Sequence, residues 1–511
     1  MKKLENKIIY QIYPKSFLDT TGSGTGDIRG IIRKLDYLSE LGVDYLWLCP
    51  ICRSPQRDNG YDISDYYQID ERFGSNKDYE RLIEEADKRG MKIMMDLVLN
   101  HTSSDHLWFM EALQKDPRYK DYYIFRKKPN NLTSYFGGSA WSYQADLDEY
   151  YFRLFDESQP DLNWENPQVR NEIYQMINFW IKKGVAGFRL DVIDLIGKEP
   201  DMGITARGPK FYDYLKELQK NTFGEQLLTV GECWGATLDD CERMCGSNGL
   251  TQAFHFNHLT ITNGKTKWHK KRLDLQVLAE TLDLWQNHYD GIEALVMNNH
   301  DLPRLISTWL DDKIFRKESA KLLITLFGLL KGNLYLFQGE EIGMTNAYME
   351  DIQDYNDVET LNKYKELMES GLDQKLTMEM IKATSRDNAR TPMQWNEQKN
   401  SGFTEGTSWL KVNPNYKMIN VDKDRNSPDS IYEYYKSIIA FRKENYDLIN
   451  EKAVFKSDGD VFKFTKGGLK LWANFSCFMV PLKKERTALF CNYPSENREY
   501  LRPYEVWVSL D

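Results

Sequence analysis

The stretch Gly187-Phe188-Arg189-Leu190-Asp191-Val192 places an arginine two residues before an aspartate, at the end of a short apolar run. In a strand, side chains two residues apart point to the same face, so Arg189 and Asp191 lie side by side. A guanidinium beside a carboxylate favours its ionised form, which a nucleophilic aspartate requires. A structural salt bridge would have the same sequence, so this pair alone leaves both interpretations open.

Three further polar clusters follow short apolar runs. They are Asp96-Leu97-Val98-Leu99-Asn100-His101, Val230-Gly231-Glu232-Cys233-Trp234 and Asn298-Asn299-His300-Asp301. Taken singly, each has an ordinary alternative, such as a helix cap, a surface acid or a turn. Four such clusters at the ends of candidate strands favour one shared site.

Two of these carboxylates have the arrangement that glycoside hydrolysis needs. Retention of configuration requires a nucleophile and an acid about 5–5.5 Å apart, which adjacent strand ends can supply. Asp191 would attack the anomeric carbon. Glu232, with its pKa raised by an apolar wall such as Trp234, would protonate the leaving oxygen and then activate water. Asp301 and the histidines of the clusters would hold sugar hydroxyls as oxocarbenium charge develops.

Short apolar runs alternate with amphipathic stretches, which predicts βα units around a parallel sheet. The predicted strands are residues 8–13, 45–49, 92–98, 185–190, 227–230, 252–256, 294–297 and 334–337. The clearest predicted helices are 28–41, 78–88, 168–183 and 273–286. Eight strands with intervening helices indicate an α/β protein with a (β/α)8 TIM barrel, whose working residues lie at the carboxyl ends of the strands.

Two stretches break this alternation, from 101 to about 159 and from 351 to about 406, the second of which is a long excursion after the eighth strand. Residues from 101 onward are rich in Tyr, Asn, Asp and Gly and too long for a βα loop. We therefore expect a small inserted domain, at 101–167, between barrel segments 1–100 and 168–450. Short alternating runs beyond 451 predict a C-terminal antiparallel β-sandwich domain at 451–511.

The bulk properties exclude several classes of partner. The 511 residues carry a net charge of 67 − 77 = −10, which argues against binding nucleic acid or an anionic membrane. The longest apolar run, 322–330, falls well short of the roughly 20 residues of a membrane helix. The N-terminus has no signal-peptide pattern and the seven cysteines form no even framework. We expect a cytoplasmic monomer or weak oligomer that binds a small oligosaccharide.

The stretches DLVLNH, GFRLDVI, VGECWG, NNHD and QPDLNW closely resemble the short conserved regions of the α-amylase superfamily, glycoside hydrolase family thirteen. The resemblance covers essentially the whole chain. Within the superfamily the chain is similar to the oligo-1,6-glucosidase, dextran glucosidase and trehalose-6-phosphate hydrolase group. That likeness rests on IIYQIYPKSFLDT, DNGYDISDY, FGGSAW, QGEEIGMTN and SRDNARTPMQW.

The resemblance implies a role for each site residue. Asp191 would be the nucleophile, Glu232 the acid/base and Asp301 the carboxylate that stabilises the transition state. Asp58 paired with Arg386 would close the pocket beyond the sugar, making the enzyme exo-acting. The glucose at the non-reducing end would be bound by Asp58, Tyr61, His101, Arg189, His300 and Arg386.

Resemblance also implies the linkage and the acceptor site. In the family, valine after the nucleophile accompanies α-1,6 activity, whereas alanine or threonine accompanies α-1,4 activity. Val192 would crowd one approach of the second sugar, although a strand residue of good β propensity would look the same. Trp234 would stack on the acceptor glucose, which Lys267 and Glu359 would also contact.

No cofactor is expected to be required. The family's calcium loop is degenerate here: Asp19 and Asp27 remain, but Thr21 and Ser23 replace an amide and a carboxylate. Calcium prefers six to eight oxygen ligands, many of them charged. We therefore expect weak calcium binding or none.

The leading hypothesis is a retaining exo-α-glucosidase that releases glucose from isomaltose, isomalto-oligosaccharides or dextran fragments. Trehalose-6-phosphate hydrolase is the closest alternative and would need cations for the phosphate, with Arg207, Lys210 and Lys267 as candidates. Hydrolysis of α-1,4 bonds and action on sucrose are weaker alternatives. A non-catalytic amylase-like protein is disfavoured, because the whole carboxylate set is present.

Overall fold

The computed structural model describes residues 2–482, 487–497 and 499–511. Its central sheet has eight parallel strands, numbered here β1 to β8. They are Ile8–Ile12, Tyr45–Leu48, Lys92–Val98, Gly187–Asp191, Leu228–Glu232, Gln252–Phe254, Ala294–Val296 and Asn333–Phe337. The hydrogen-bonded order is β6-β5-β4-β3-β2-β1-β8-β7. The predicted strands and the TIM-barrel fold are confirmed.

Helices follow the strands and cover the outside of the sheet. They are Ile28–Arg33 with Leu35–Leu41, Asn76–Asp87, Pro167–Lys182, Phe211–Asn221, Leu238–Met244, Leu275–His288, Arg316–Gly328 and Ile431–Glu444. The predicted helix at 28–41 is in fact two helices, because Lys34 has non-helical angles (φ −109°, ψ 7°). Further helices are Leu107–Leu113, Leu305–Trp309, Val358–Glu369, Gln374–Thr384, Asp387–Arg390, Val421–Arg425 and Tyr446–Ile449.

Two excursions from the barrel reach the mouth of the site. After β3, the strands Phe125–Arg126, Trp141–Gln144 and Glu149–Phe152 form a small antiparallel sheet within the predicted inserted segment. After β8, the helices Val358–Glu369 and Gln374–Thr384 precede the short helix Asp387–Arg390. A further pair of strands after β2, Cys52–Arg53 and Asp65–Ile69, flanks the loop that carries Asp58 and Tyr61.

The predicted C-terminal antiparallel β domain is present. Among its described residues, five strands form one sheet and two short strands pair separately. The five are Val454–Asp458, Val461–Lys466, Leu469–Asn474, Phe490–Cys491 and Val506–Leu510, and the two are Val480–Pro481 and Tyr500–Leu501.

Aromatic side chains fill the barrel beneath the site. The Phe254 ring lies 5.7 Å from that of Trp47 and 4.8 Å from that of Tyr335, measured between centroids. The indole N–H of buried Trp47 donates to the Oδ2 of Asp96 at 3.0 Å. The polar groups above therefore rest on an apolar floor that excludes water and strengthens their electrostatic interactions. Within the described part of the chain, every helix is too short or too polar to cross a membrane.

Candidate active site

Arg189 lies at the centre of a carboxylate cluster. Its strand, β4, runs between β3 and β5. The strand register pairs Arg189 with Asp96 of β3 on one side and with Val230 of β5 on the other. The guanidinium is fully buried; Nη1 donates to Asp96 Oδ1 at 2.9 Å and to Asp191 Oδ1 at 2.7 Å. Nη2 donates to Glu232 Oε2 at 2.5 Å. Arg189 thus binds both predicted reacting carboxylates, Asp191 through Nη1 and Glu232 through Nη2.

The cluster contains more negative charge than Arg189 can neutralise. Burial raises the pKa of Asp191 well above its ordinary value, and although Arg189 opposes this, Glu232 and Asp96 add to it. Burial likewise raises the pKa of Asp96 to about 6. Arg189 alone does not offset these effects on the pKa of Asp191, because three carboxylates share its one guanidinium.

Glu232 is oriented by two further donors. The Trp234 indole Nε1–H donates to Oε1 at 3.0 Å, and the Val192 backbone N–H lies 3.3 Å from Oε2. Trp234 therefore contacts the carboxylate by a hydrogen bond rather than as the apolar wall expected. Val192 has left-handed angles (φ 35°, ψ 44°), which are rare for a β-branched residue. This strained turn after β4 aims its N–H at Glu232.

His300 and Asp301 follow β7 and reach the same space. Asp301 Oδ2 lies 3.1 Å from His300 Nε2, and His300 Nδ1 contacts Gln11 Nε2 at 2.9 Å. The Tyr61 ring stacks on the imidazole, with centroids 5.2 Å apart. Burial lowers the pKa of His300 to about 3, and the adjacent Asp301 carboxylate only partly opposes this.

Two arginines hold Asp301. Arg386 Nη1 and Arg390 Nη2 donate to its Oδ1 at 3.0 Å and 2.8 Å. Burial alone would raise the pKa of Asp301, but adjacent His300 and these guanidiniums hold it well below the ordinary value. Asp301 is therefore ionised over the whole working pH range.

The carboxylates Asp191, Glu232 and Asp301 line one cavity of about 680 Å³ at the carboxyl ends of the strands. Arg189 and His300 contact its walls from behind. The cavity lining includes the predicted residues Asp58, Tyr61, His101, Asp191, Val192, Glu232, Trp234, Lys267, Asp301, Glu359 and Arg386.

One part of the cavity wall contains Asp58 and His101. Gln159 from the inserted segment donates to Asp58 Oδ2 at 3.0 Å and contacts His101 Nε2 at 3.2 Å. Burial raises the pKa of Asp58 to about 7 and lowers that of His101 to about 3. Arg386 Nη2 lies 3.8 Å from Asp58 Oδ1, so the predicted pair exists as an ion pair rather than as a hydrogen bond.

Another part of the cavity wall carries the predicted acceptor residues Trp234, Lys267 and Glu359. Lys267 Nζ lies 2.5 Å from Glu359 Oε1, which comes from the helix Val358–Glu369. Trp234, 38% exposed, packs on Phe256 with ring centroids 4.2 Å apart. Trp234 and the Lys267–Glu359 pair thus line the same cavity, as do the aromatic side chains of Tyr135, Phe136, Phe155 and Trp268.

The match to known proteins agrees with this geometry. A family profile described as "Alpha amylase, catalytic domain" matches residues 11–451. The chain belongs to the α-amylase family. It is a glycoside hydrolase, and its cavity lies at the carboxyl ends of the barrel strands, where enzymes of this fold have their active sites.

Relatives of this α-amylase family enzyme have related activities in their names. It is 48% identical to the glucan 1,6-α-glucosidase of Streptococcus pneumoniae, over 87% of this chain and 85% of the relative. It is 44% identical to the oligo-1,6-glucosidase of Halalkalibacterium halodurans, over 99% and 98%. The crystal structure of trehalose-6-phosphate hydrolase from Bacillus licheniformis has a TM-score of 0.92 at 43% identity, covering 98% of each chain.

The candidate calcium loop of this α-amylase family enzyme is filled by its own donors. Asp19 and Asp27 lie in the loop after β1, away from the carboxylate cluster. Asp19 accepts hydrogen bonds from the backbone of Thr21, Gly22 and Gly24 and from the Thr404 hydroxyl, at 2.6–3.0 Å. Asp27 accepts from the N–H groups of Thr20 and Gly30. These donors face the oxygens that a cation would need, so the loop does not fit calcium.

Sequence reasoning missed two residues of this α-amylase family site, Asp357 and Arg390. Asp357 Oδ1 accepts from Arg386 Nε at 2.9 Å, and Arg390 Nε donates to the His300 carbonyl at 2.8 Å. A signal for Arg390 existed, since it lies one helical turn after Arg386. Asp357 precedes a helix, and its sequence is that of an ordinary cap.

Proposed function

We propose that the protein is a retaining, exo-acting α-glucosidase that cleaves α-1,6 bonds. Its substrates would be isomaltose, isomalto-oligosaccharides or dextran fragments, from which it releases glucose at the non-reducing end. The observation that carries this proposal is that one buried guanidinium binds both Asp191 and Glu232, which line a single cavity.

In the first step, Asp191 attacks the anomeric carbon while Glu232 gives its proton to the glycosidic oxygen. This breaks the bond to the leaving sugar and forms a glucosyl ester on Asp191. In the second step, Glu232 takes a proton from water, which attacks the same carbon and frees Asp191. Two inversions give net retention. The first step requires Glu232 to be protonated and Asp191 to be ionised.

The hydrogen-bonded wall around Asp58 supports release of a single glucose. Asp58, Gln159 and His101 are joined by hydrogen bonds beyond the space for the first sugar. The Arg386 guanidinium also lies over the Phe136 ring, 5.2 Å from its centroid, which extends this wall. A longer chain could not continue past these groups, so only a terminal residue fits.

The acceptor side favours an uncharged sugar over a phosphorylated one. Each of the three candidate phosphate ligands has a carboxylate partner: Lys267 pairs with Glu359, Arg207 with Asp194, and Lys210 with Glu165. Lys210 is also half-exposed and lies outside the cavity lining. Binding a phosphate would require breaking these pairs.

The experiment that tests this function compares kcat/KM on isomaltose, panose, maltose, sucrose and trehalose-6-phosphate. Isomaltose or panose should give the highest values. If trehalose-6-phosphate gives the highest kcat/KM, the proposed function is overturned in favour of that hydrolase.

Val192 should control the linkage preference. Alanine at this position removes two methyl groups from the cavity wall, so the approach used by α-1,4-linked sugars becomes less crowded. We expect the ratio of kcat/KM on maltose to that on isomaltose to rise about tenfold, a range typical for methyl groups in a pocket. Measuring both substrates on one enzyme preparation cancels differences in active fraction. An unchanged ratio would show that Val192 does not control the linkage preference.

We also propose that the protein works without calcium. Removal of metal with EDTA should leave the Tm unchanged within about 1 °C, since a ligand that does not bind the native state cannot stabilise it. Differential scanning calorimetry with EDTA and with added calcium makes the comparison. A rise of several degrees on adding calcium would show that the loop around Asp19 does bind the ion.

A further inference from the structure

Asp357 is a fully buried carboxylate whose two oxygens serve two different parts of the site. Oδ1 lies between two N–H groups of Arg386, at 2.9 Å from Nε and 2.5 Å from Nη2. Oδ2 accepts from the Thr360 backbone N–H at 3.1 Å and from its hydroxyl at 2.6 Å. The carboxylate itself is absent from the cavity lining.

The contact with Arg386 fixes the rotation of the guanidinium. With Nε and Nη2 both directed at Asp357, Nη1 is left to donate to Asp301 at 3.0 Å. Other acids compete for this arginine, because Glu359 Oε2 lies 3.4 Å from Nε and Asp58 Oδ1 lies 3.8 Å from Nη2. Without Asp357 the guanidinium could turn toward Glu359 and leave Asp301.

The second contact connects Asp357 to the acceptor wall, the part of the cavity lined by Trp234, Lys267 and Glu359. Its Oδ2 caps the N-terminus of the helix Val358–Glu369, and Glu359, Lys363 and Glu366 of that helix line the cavity. The side chain thus joins the arginine at the glucose end to the helix that holds the Lys267–Glu359 pair. Charge supports the arrangement: despite burial, Arg386 and Arg390 hold the pKa of Asp357 well below its ordinary value.

We propose that Asp357 is a positioning residue that aims Arg386 at Asp301 and at the terminal glucose, and that ties this arginine to the acceptor wall. The proposal rests on the proposed role of Arg386 in the glucose pocket. Asp357 acts through Arg386 and contacts no substrate.

A double-mutant cycle tests this directly. D357N should lower kcat/KM on isomaltose about 100-fold and raise the inhibition constant of glucose about tenfold, since a misaimed arginine weakens both ground-state and transition-state binding. If Asp357 acts through Arg386, D357N added to R386A should cost less than about twofold, because residues that act through one contact are not additive. R386M provides the same cycle if R386A does not fold, because methionine fills similar space without an N–H group for Asp357.

D373N is the matched control for loss of a helix cap. Asp373 caps the next helix, Gln374–Thr384, by accepting from Lys375 and Leu376, and it is exposed outside the cavity. Its kcat/KM should stay within about twofold, since an exposed cap stabilises only its own helix. Additive losses from D357N and R386A would overturn the positioning role. A normal glucose inhibition constant in R386A would instead contradict the proposed glucose pocket.

Discussion

Asp191→Asn should lower kcat on isomaltose by roughly 10⁴-fold or more, as expected when a nucleophile is removed from a unit that acts together. Asparagine has nearly the same shape but cannot form the glucosyl ester. Arg189 would keep its contacts with Asp96 and Glu232, so the strand should stay in place. Steady-state kinetics and a Tm measurement check both parts of the expectation.

Asp201→Asn is a suitable control, since Asp201 is exposed and pairs with Arg126 outside the cavity. It should retain activity within about twofold, as surface substitutions usually do. Asp191→Gly offers a stricter test of the nucleophile. With α-glucosyl fluoride and azide it should produce β-glucosyl azide, because azide enters from the face that Asp191 occupied. Substantial isomaltose hydrolysis by Asp191→Asn would contradict the mechanism.

Glu232→Gln should lower kcat on isomaltose by about 10³-fold, within the range for loss of general acid–base catalysis. Glutamine keeps an oxygen for Arg189 but has no proton to give to the leaving sugar. α-Glucosyl fluoride needs no such proton, so the variant should still form the glucosyl ester and stop there.

Azide should then accelerate turnover of the fluoride by Glu232→Gln and yield α-glucosyl azide. Azide needs no general base, and it replaces water on the face opposite to Asp191. The two variants should thus give azides of opposite configuration. If Glu232→Gln gave the β-azide, the roles assigned to Asp191 and Glu232 would have to be exchanged.

Much of this site could be predicted from the sequence, because its main groups lie at strand ends. Residues such as Asp191 and Asp301 follow apolar runs whose order around the barrel is the order along the chain. The parallel register then brings them together, since neighbouring strands end at the same edge. The spacing of Arg189 and Asp191 needed only the two-residue period of a strand.

Other features depend on contacts that no local pattern records. Asp357 meets Arg386 across 29 positions of chain, in a loop region without a regular period. The raised pKa of Asp191 depends on how many carboxylates surround one guanidinium, which only the folded barrel decides. Val192 has the composition of a strand residue, yet it adopts left-handed angles because the turn directs its N–H toward Glu232.

The most direct test of the central claim is proton NMR of the first minutes of hydrolysis of methyl α-isomaltotrioside. The blocked reducing end ensures that any free glucose comes from the non-reducing end. The account predicts that glucose and methyl α-isomaltoside form together, with the α-anomer of glucose in excess before mutarotation. Early β-glucose, or release of isomaltose in place of glucose, would contradict a retaining, exo-acting pair of Asp191 and Glu232.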